Sequence, residues 1–481
     1  MLKNVELNSK AFLIAAIFTI ATCIGLAFEF YYSFLIPPVI AVVLIALHRY
    51  DYLLGFIIIS TPLSFNFENL AVGGIGFYFP TEPLLFGMLL LFALQSVRKS
   101  LIDKIWVDHP VSVIVIFSLF WMAVCTYTSS MPMVSFKYLL ARLWFVVALF
   151  YMAGMLFKNK QNIMRYVWFY LVPLAIVIIY TVAHHAINDF SHDAAHWVMS
   201  PFYKDHTSYG AVLALYLPVT VLLLIYGKFK SDWVKPILIA ILTILVIGLI
   251  LSYTRAAWVS ILGAFGVWCI LKFKIPSKLV YTGAGLMVVL FFVYQNRLFD
   301  DLEKNRQDSS DNLSEHVESI SNISSDASNL ERINRWNSAL RMFADRPVFG
   351  FGPGTYMFQY APFQKNDEKT IISTNLGEVG NAHSEYLGPL SEGGLFGSLS
   401  FIALLIASLY YGINLYKRIP EDDVMKQLVL GLVLGLITYY IHGILNNYLD
   451  TDKASVPFWT FIASIVALDI YHYPKNKKVK V

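Results

Sequence analysis

About fourteen apolar runs in this chain are long enough to cross a lipid bilayer as helices, and this feature constrains its fold more than any other. We place them at 11–28, 31–48, 52–64, 80–97, 110–128, 135–157, 164–184, 208–227, 234–253, 256–272, 279–296, 394–416, 427–448 and 456–472. The third run is short and ends in polar residues, which indicates a re-entrant or broken helix, so we expect about 12–14 spans. Because a backbone in lipid must satisfy its own hydrogen bonds, the runs predict an all-α polytopic membrane protein.

The composition excludes a soluble globular protein. Of 481 residues, 57% are hydrophobic and 14% are charged, and the mean hydropathy is +0.60. Cys23, Cys125 and Cys269 lie within apolar runs, which predicts packing and neither a disulfide nor a metal site. The first run follows Lys3 and Lys10 and lacks a small-residue cleavage site, so we interpret it as a retained span.

Lysine and arginine are concentrated in alternate loops. One set of loops and the C-terminal tail carry Arg49, Arg98, Lys99, Lys104, Lys158, Lys160, Arg165, Lys228, Lys230, Lys235, Lys272, Lys274, Lys278, Lys417, Arg418, Lys426, Lys475, Lys477, Lys478 and Lys480. The opposite loops, 65–79, 129–134, 185–207 and 449–455, are nearly free of them. The positive-inside rule then predicts that the basic loops and both termini are cytoplasmic and that 297–393 faces outward.

The outward segment divides the chain into three parts. We predict a transmembrane bundle over residues 1–296, a large outward cap over 297–393, and transmembrane helices with a basic tail over 394–481. Residues 296–329 are rich in Asp, Glu, Ser and Asn, which predicts a solvated loop. No internal repeat is visible in the sequence, and this argues against a transporter built from duplicated halves.

The stretch from residue 331 to 397 holds the residues that most strongly suggest chemistry. It begins with a predicted helix that carries Arg332 and Arg335 on one flank and stops at Pro347; its apolar residues at helical spacing are Ile333, Trp336, Leu340 and Phe343. A turn containing Gly350, Gly352 and Gly354 follows, whose amides are expected to allow close approach of an anion.

A second, short helix is predicted after that turn. Asn381 is its expected N-cap, and His383 is expected in its first turn. Leu387 and Leu390 continue the apolar face, and the helix is predicted to end at Gly393 and Gly394.

Read in order, the stretch resembles a known family. The sequence has Arg-x-x-Arg-Trp, then P-x-x-G-x-G-P-G, then N-x-H-S-E-Y-L with E-G-G-L-x-G, and earlier SYTRAAW around Arg255. This order is similar to the C-terminal pattern of the O-antigen ligase and polymerase superfamily. The resemblance implies a GT-C type, polyprenyl-phosphate-dependent glycosyltransferase with a helical periplasmic cap. It also implies that the protein lies in the bacterial inner membrane, with its active site on the periplasmic side.

The sequence contains no nucleotide-binding loop and no metal-ligand cluster, so we predict no cofactor, no metal and no nucleic-acid partner. The energy for transfer must then arrive with the substrate, and arginines are expected to stabilise a leaving diphosphate. Arg255, Arg332 and Arg335 are the first candidates. For Arg255 the alternative is a side chain that snorkels to the membrane surface. For Arg332 and Arg335 it is a solvated helix face.

Two further cations enter the sixth run from the outside. Lys137 and Arg142 are candidate diphosphate ligands, and Arg142 lies deep enough to require a partner. That partner is either a phosphate or a carboxylate such as Glu82 or Glu392. The sequence is compatible with both a structural ion pair and a substrate contact for Arg142.

His383 is the candidate general base, because nearby arginines disfavour its charged form and leave it able to accept a proton. A buried core histidine is the alternative, and the family resemblance favours the catalytic role. Glu385 is expected to orient His383 or to bind the acceptor sugar. Further residues expected to line the cavity are Lys204, Asp205, His206, Trp336 and Tyr386.

The resemblance implies transfer from an undecaprenyl-diphosphate-linked glycan to a sugar hydroxyl, with inversion and without a metal. In a ligase the acceptor is the lipid A core, and in a polymerase it is a second lipid-linked glycan. A lipid-linked oligosaccharide flippase is the alternative from another class, although it does not account for the large outward segment. The sequence does not indicate the oligomeric state.

Overall fold

The computed structural model describes most of the chain. The described residues are 16–20, 22–25, 27–29, 36–66, 78–97, 101–227, 229, 231–276, 278–280, 282, 283, 285, 286, 289, 290, 293, 327–366, 368, 369, 373 and 380–474. They fall into two compact units, residues 1–56 and residues 57–481. The predicted run at 279–296 and the predicted solvated loop at 296–329 lie largely outside the described residues.

Helices form nearly all of the described structure, which confirms the predicted all-α class. In chain order they are α1 (Ile36–Ser60), α2 (Thr81–Ser96), α3 (Lys104–Val107), α4 (Pro110–Tyr127), α5 (Pro132–Val146), α6 (Ala153–Leu156), α7 (Lys160–Ile187), α8 (His192–Ala195), α9 (His206–Tyr226), α10 (Val234–Leu251), α11 (Arg255–Lys272), α12 (Ala327–Asp345), α13 (Tyr356–Gln359), α14 (Leu387–Arg418), α15 (Val424–Leu445) and α16 (Asp452–Ala467). A π-helical segment, Val147–Met152, joins α5 to α6, another extends α16 over Leu468–His472, and Ala361–Phe363 is a 3-10 turn. The strands β1 (Phe65–Asn66) and β2 (Tyr78–Phe79) form a small antiparallel pair.

Ten helices among the described residues are long and apolar enough to cross a membrane. The chain is therefore a multi-pass membrane protein. Two shorter apolar helices, Ala16–Gly25 and Thr81–Ser96, correspond to the first and fourth predicted runs. The second and third predicted runs form the single element α1, which is interrupted at Arg49, where φ is −144° and ψ is 59°.

Two helical segments meet at Gly394 within α14, which runs from Leu387 to Arg418. The kink lies where the short helix was predicted to end and the next span to begin. Gly394 breaks its regularity with φ of 65° and ψ of −163°, and Leu395 N–H donates to the Pro347 carbonyl at 2.9 Å. A Cβ at Gly394 would lie 2.1 Å from the Val348 carbonyl oxygen, so only glycine allows the cap to pack this closely on the helix.

Buried helices α9, α15 and α16 form the centre of the larger unit. On α15 the sequence GLVLG places Gly431 and Gly435 one turn apart, a spacing that lets helices approach closely in a membrane. A Cβ on Gly435 would lie 2.5 Å from the carbonyl oxygen of Leu215 on α9. This contact holds the C-terminal end of α15 near the N-terminal end of α9, where the candidate site lies.

Several loops predicted to be cytoplasmic contact one another in the larger unit. Lys160 on α7 pairs with Asp423 at 2.6 Å, and Lys158 pairs with Asp103 at 2.6 Å. Arg418 at the end of α14 pairs with Asp469. These loops therefore lie on one side of the unit, as alternate crossing of a membrane requires.

We expect Lys160 to lie on the cytoplasmic side and Ser310 and Asn375 on the outer side, because lysine and arginine are biased between alternate loops. In a chain whose native cysteines are replaced, Ser310→Cys should react with an impermeant thiol reagent in intact spheroplasts. Lys160→Cys and Lys477→Cys should react only after permeabilisation. Labelling of position 160 without labelling of position 310 in intact cells would contradict this orientation.

Candidate active site

Helix α12 is anchored to the following loop by one of its two arginines. The Arg335 Nε donates to Glu331 Oε1 at 2.8 Å, and its Nη1 donates to the Asn381 carbonyl at 3.1 Å. The guanidinium also lies over the Tyr360 ring at 5.2 Å, and the side chain is almost fully buried. Arg335 therefore holds the segment that leads to His383.

His383 does not lie in a helix, contrary to the prediction. Helix α14 begins at Leu387, and His383 occupies a left-handed backbone conformation with φ of 48° four residues earlier. Its N–H donates to Asn381 Oδ1 at 3.0 Å, so Asn381 forms a local turn and is not a helix cap. The His383 carbonyl accepts from Trp336 Nε1 on α12 at 3.4 Å.

The second arginine of α12 faces a different set of groups. Arg332 interacts electrostatically with Asp205, which precedes α9, and with Tyr448, which follows α15. Asp205 Oδ1 accepts from Thr207 Oγ1 at 2.6 Å and from Ser208 N–H at 2.7 Å, and Thr207 also bonds the Tyr448 hydroxyl. Burial lowers the pKa of Arg332, which remains a cation at neutral pH.

Arg255 is the first residue of α11 and is half-buried. It interacts electrostatically with Arg332, so the two arginines share one region although 77 residues, 332 minus 255, separate them in sequence. The neighbouring Thr254 Oγ1 donates to the His206 carbonyl at 2.8 Å, which joins the start of α11 to the start of α9. The structure thus brings the ends of α9 and α11 to the middle of α12.

His383 is neutral in this environment. Burial, then Arg332 and then Arg335 lower the pKa of His383 to about 3, while Asp205 and a hydrogen bond with Asn446 act in the opposite direction. Two cations close to a partly buried imidazole penalise its protonated form. The neutral ring therefore has a nitrogen that can accept a proton at pH 7.

His442 and Asn446, at the end of α15, were not singled out from the sequence. Both are buried, and Asn446 Nδ2 lies 3.2 Å from His442 Nε2. Asn446 also raises the pKa of His383, which places the two side chains near each other. The sequence signal was a histidine and an asparagine four residues apart on one face at the end of an apolar run.

Glu385 faces the loop that follows α15 and, among the described residues, makes no hydrogen bond to His383. Its Oε1 accepts from the Tyr439 hydroxyl at 2.6 Å and from the backbone N–H groups of Tyr448 and Leu449 at 2.8 and 3.0 Å. Its own N–H donates to the Gly443 carbonyl at 2.8 Å. Glu385 therefore joins the segment before α14 to the loop that carries Tyr448.

Arg142 lines a separate cavity of about 80 Å³. Its Nη2 donates to the Tyr138 hydroxyl at 3.0 Å. Glu385 and Glu392 lie on the wall of the same cavity, and most of its apolar lining comes from α4 and α14. The other expected partner, Glu82, lies elsewhere and accepts from the Tyr78 N–H at 3.2 Å.

The glycine-rich turn packs against α14, which corrects the prediction that its amides are free for an anion. The Gly352 N–H donates to the Glu392 carbonyl at 2.8 Å, and the Gly350 N–H donates to the Arg346 carbonyl at 3.1 Å. Gly352 has φ of 111°, and a Cβ there would lie 2.0 Å from Ser129 Oγ. The turn is thus a site of close backbone packing.

The remaining candidates lie at the edge of the cluster or outside it. Lys137 and Lys204 are exposed. The Tyr386 hydroxyl donates to the Tyr440 carbonyl at 2.9 Å, which places it in the helix packing. His206 Nδ1 lies 3.1 Å from His196 Nδ1, but within the described part of the chain no group of three or more His, Cys, Asp or Glu side chains could hold a metal ion.

A helical membrane protein that gathers arginines around a neutral histidine fits the class of glycosyltransferase-like membrane enzymes. Residues 238–402 match the family model described as O-antigen ligase, and this match supports membership of the O-antigen ligase superfamily. The match includes Arg255, Arg332 and His383 and ends before His442 and Asn446. No match to the chain was found among curated proteins. This family suggests a glycosyltransferase-like membrane enzyme of ligase or polymerase type, with lipid-linked glycans as its class of substrate.

Proposed function

We propose that the protein transfers a glycan from a polyprenyl-diphosphate donor, of the undecaprenyl type, to a sugar hydroxyl on the periplasmic side of the bacterial inner membrane. One observation carries the proposal: Arg332 interacts electrostatically both with Arg255 and with His383, whose imidazole is neutral. Two cations suit a leaving diphosphate, and a neutral imidazole suits a hydroxyl that must lose a proton.

In the proposed reaction His383 accepts the proton of the acceptor hydroxyl as its oxygen attacks the anomeric carbon. The bond between that carbon and the diphosphate oxygen breaks, and the diphosphate leaves with the electron pair towards Arg255 and Arg332. Attack opposite the leaving group inverts the anomeric configuration. Arg335 holds the His383 segment through Asn381, so its role is to position the base and not to bind the diphosphate.

Donor binding should also activate the base. Arg332 and Arg335 lower the His383 pKa in the substrate-free protein. A bound diphosphate brings negative charge next to Arg332 and offsets part of that effect, because opposite charges favour the protonated imidazole. His383 thus becomes a stronger base only when the donor is present, which couples proton acceptance to occupancy by the correct substrate.

The cavity beside Arg142 fits the acceptor better than the donor. It holds two carboxylates, Glu385 and Glu392, beside one arginine, and most of its apolar wall comes from α4 and α14. Carboxylates accept hydrogen bonds from sugar hydroxyls and repel a diphosphate. A lipid-anchored glycan acceptor would place its sugar near the carboxylates and its chain along the apolar wall.

Transfer should proceed without metal ions or nucleoside triphosphate, because the arginines supply the charge that a metal would supply. The measurement uses purified protein in liposomes with a polyprenyl-diphosphate-linked glycan, EDTA, and either lipid A core or a second lipid-linked glycan. Product on the first acceptor alone indicates a ligase, and product on the second alone indicates a polymerase. Activity that EDTA abolishes and Mg²⁺ or Mn²⁺ restores would contradict metal independence. Movement of donor between leaflets without transfer would favour a flippase.

A further inference from the structure

The turn that follows α12 exposes two apolar side chains where the cap meets α14. Val348 is 49% exposed and Phe349 is 41% exposed. The Pro347 carbonyl accepts from the Leu395 N–H at 2.9 Å, and a Cβ at Gly394 would lie 2.1 Å from the Val348 carbonyl oxygen. These backbone contacts fix the turn against α14, so its apolar side chains are held outward by a rigid support.

The ring of Phe349 lies against the side of α4. It stacks on the indole of Trp121, with ring centroids 5.6 Å apart and an interplanar angle of 17°. Trp121 Nε1 donates to the Gly393 carbonyl at 2.7 Å, and its ring meets that of Phe396 on α14 at 4.9 Å. Phe349 therefore packs into the space where α4 and α14 meet.

The length of α4 sets the depth of this contact. The helix has 18 residues, Pro110–Tyr127, and is apolar enough to cross a membrane. At 1.5 Å per residue it is about 27 Å long, slightly less than the hydrocarbon core of about 30 Å. Trp121 precedes the end of the helix at Tyr127 by 6 residues, 127 minus 121, or about 9 Å along the axis. The stacked ring of Phe349 thus lies at the depth of acyl chains.

The chain returns to the end of α4 directly after this contact. The Phe351 carbonyl accepts from the Ser130 N–H at 2.9 Å and from Ser130 Oγ at 2.8 Å, in the loop between α4 and α5. Two residues span at most about 7 Å, so the turn enters and leaves the apolar layer within a few residues. Residues 347–352, with the sequence PVFGFG, carry no charged side chain.

We propose that residues 347–349 form a wedge that is inserted among the acyl chains of the leaflet on the side of the cap. The occupant of the exposed surface of Val348 and Phe349 is then membrane lipid. The cap is held to the bilayer by this wedge in addition to its connection to α14.

Lipid fits this surface because the wedge continues the apolar face of a membrane helix. Phe117 and Phe120 of α4 are 42% and 62% exposed, and the Phe117 ring stacks on Trp121 at 6.5 Å. Rings from Phe117 through Trp121 to Phe349 thus form one row along α4. A protein partner that covered the wedge would also have to displace lipid from the adjoining face of α4.

The wedge also adjoins a cavity wall. Trp121, Gly393 and Gly397 line the cavity that contains Arg142. The wedge packs on Trp121 and on the kink of α14 at Gly394, between Gly393 and Gly397. Insertion of the wedge therefore supports this wall from the side of the bilayer.

Fluorescence quenching measures the depth of the wedge directly. In a full-length chain whose native cysteines are replaced, Val348→Cys carries a small fluorophore, and the protein is placed singly in phosphatidylcholine nanodiscs. Lipids with a spin label on the acyl chain should quench this dye more than about twofold better than one at exposed Lys365→Cys, because only the former lies in hydrocarbon. Phe120→Cys on α4 is the lipid-exposed control and should be quenched as strongly as position 348.

Quenching at position 348 no stronger than at position 365 would overturn the proposal. So would shielding of position 348 from lipid together with energy transfer between labelled copies in liposomes, which would identify a second copy as the occupant. The readout involves no glycan transfer, so its result is independent of the proposed reaction.

A charge in the wedge provides a second measurement. With the fluorophore on Phe349→Cys, Val348→Asp should reduce acyl-chain quenching by about twofold or more relative to Val348→Leu, because a carboxylate is costly in hydrocarbon. Both variants should remain folded, since Val348 is half exposed and the backbone contacts of the turn are retained. Equal quenching in the two folded proteins would show that position 348 lies in water and would contradict insertion.

Discussion

Arg332→Ala should reduce transfer by about 10²- to 10³-fold, the effect of removing one group that stabilises developing negative charge. The reason is its position: Arg332 is placed among Asp205, Tyr448 and His383, and it interacts with Arg255. Arg255→Ala should have an effect of the same order, and Arg255→Lys should recover little if the guanidinium makes two parallel bonds to the diphosphate. Initial rates with a defined lipid-linked donor in liposomes measure both.

The matched control is Arg346→Ala, which removes an exposed arginine just after α12. Its turnover should equal that of the parent protein. Arg335→Ala should differ from Arg332→Ala by lowering thermal stability, because it breaks the buried bonds to Glu331 and Asn381. An Arg332→Ala enzyme with parental kcat and donor KM would remove Arg332 from the mechanism.

The helical class and the cap helix could be predicted because they depend on local periodicity. Apolar runs of membrane length specify helices almost regardless of context. The helix expected to stop at Pro347 ends at Asp345, and Trp336 faces the His383 segment. The electrostatic interactions of Arg332 with Arg255 and with His383 were expected only through the resemblance, because these residues lie far apart in sequence.

What could not be predicted depends on tertiary packing. The positive φ of His383 is held by Asn381 and Arg335, and neither contact has a local sequence signal. Arg332 and Arg335 look equivalent in sequence, but the pairing of Arg335 with Glu331 leaves only Arg332 to face the cluster.

Tertiary packing also explains why His442 and Asn446 were not predicted. His442 and Asn446 lie in or just after a run that reads as an ordinary membrane span. A polar side chain at the end of such a run is usually an interfacial residue. Only the approach of the loop before α14 to the end of α15, seen in the Glu385 N–H bond to the Gly443 carbonyl at 2.8 Å, makes them neighbours of His383.

His383→Ala should have the largest effect of any single substitution in this protein, a loss of about two to four orders of magnitude in kcat. Donor KM should change little, because the diphosphate contacts come from Arg255 and Arg332. His48→Ala, an exposed histidine on α1, is the matched control and should leave turnover unchanged. A buried histidine that served only packing would lose thermal stability instead, with activity falling as folded protein is lost.

The pH dependence provides a second test of the same base. Burial and the two arginines of α12 hold the His383 pKa at about 3 in the substrate-free protein, so the acidic limb of kcat/KM should lie well below the ordinary histidine value of about 6.5. The limb of kcat reports the donor-bound enzyme, where the diphosphate offsets Arg332, and it should lie at higher pH. Equal limbs in the two profiles would argue against this coupling. A stable His383→Ala enzyme with near-parental turnover would exclude His383 and leave Asp205, His206 or Glu385 as the base; of these, Asp205 interacts with both Arg332 and His383.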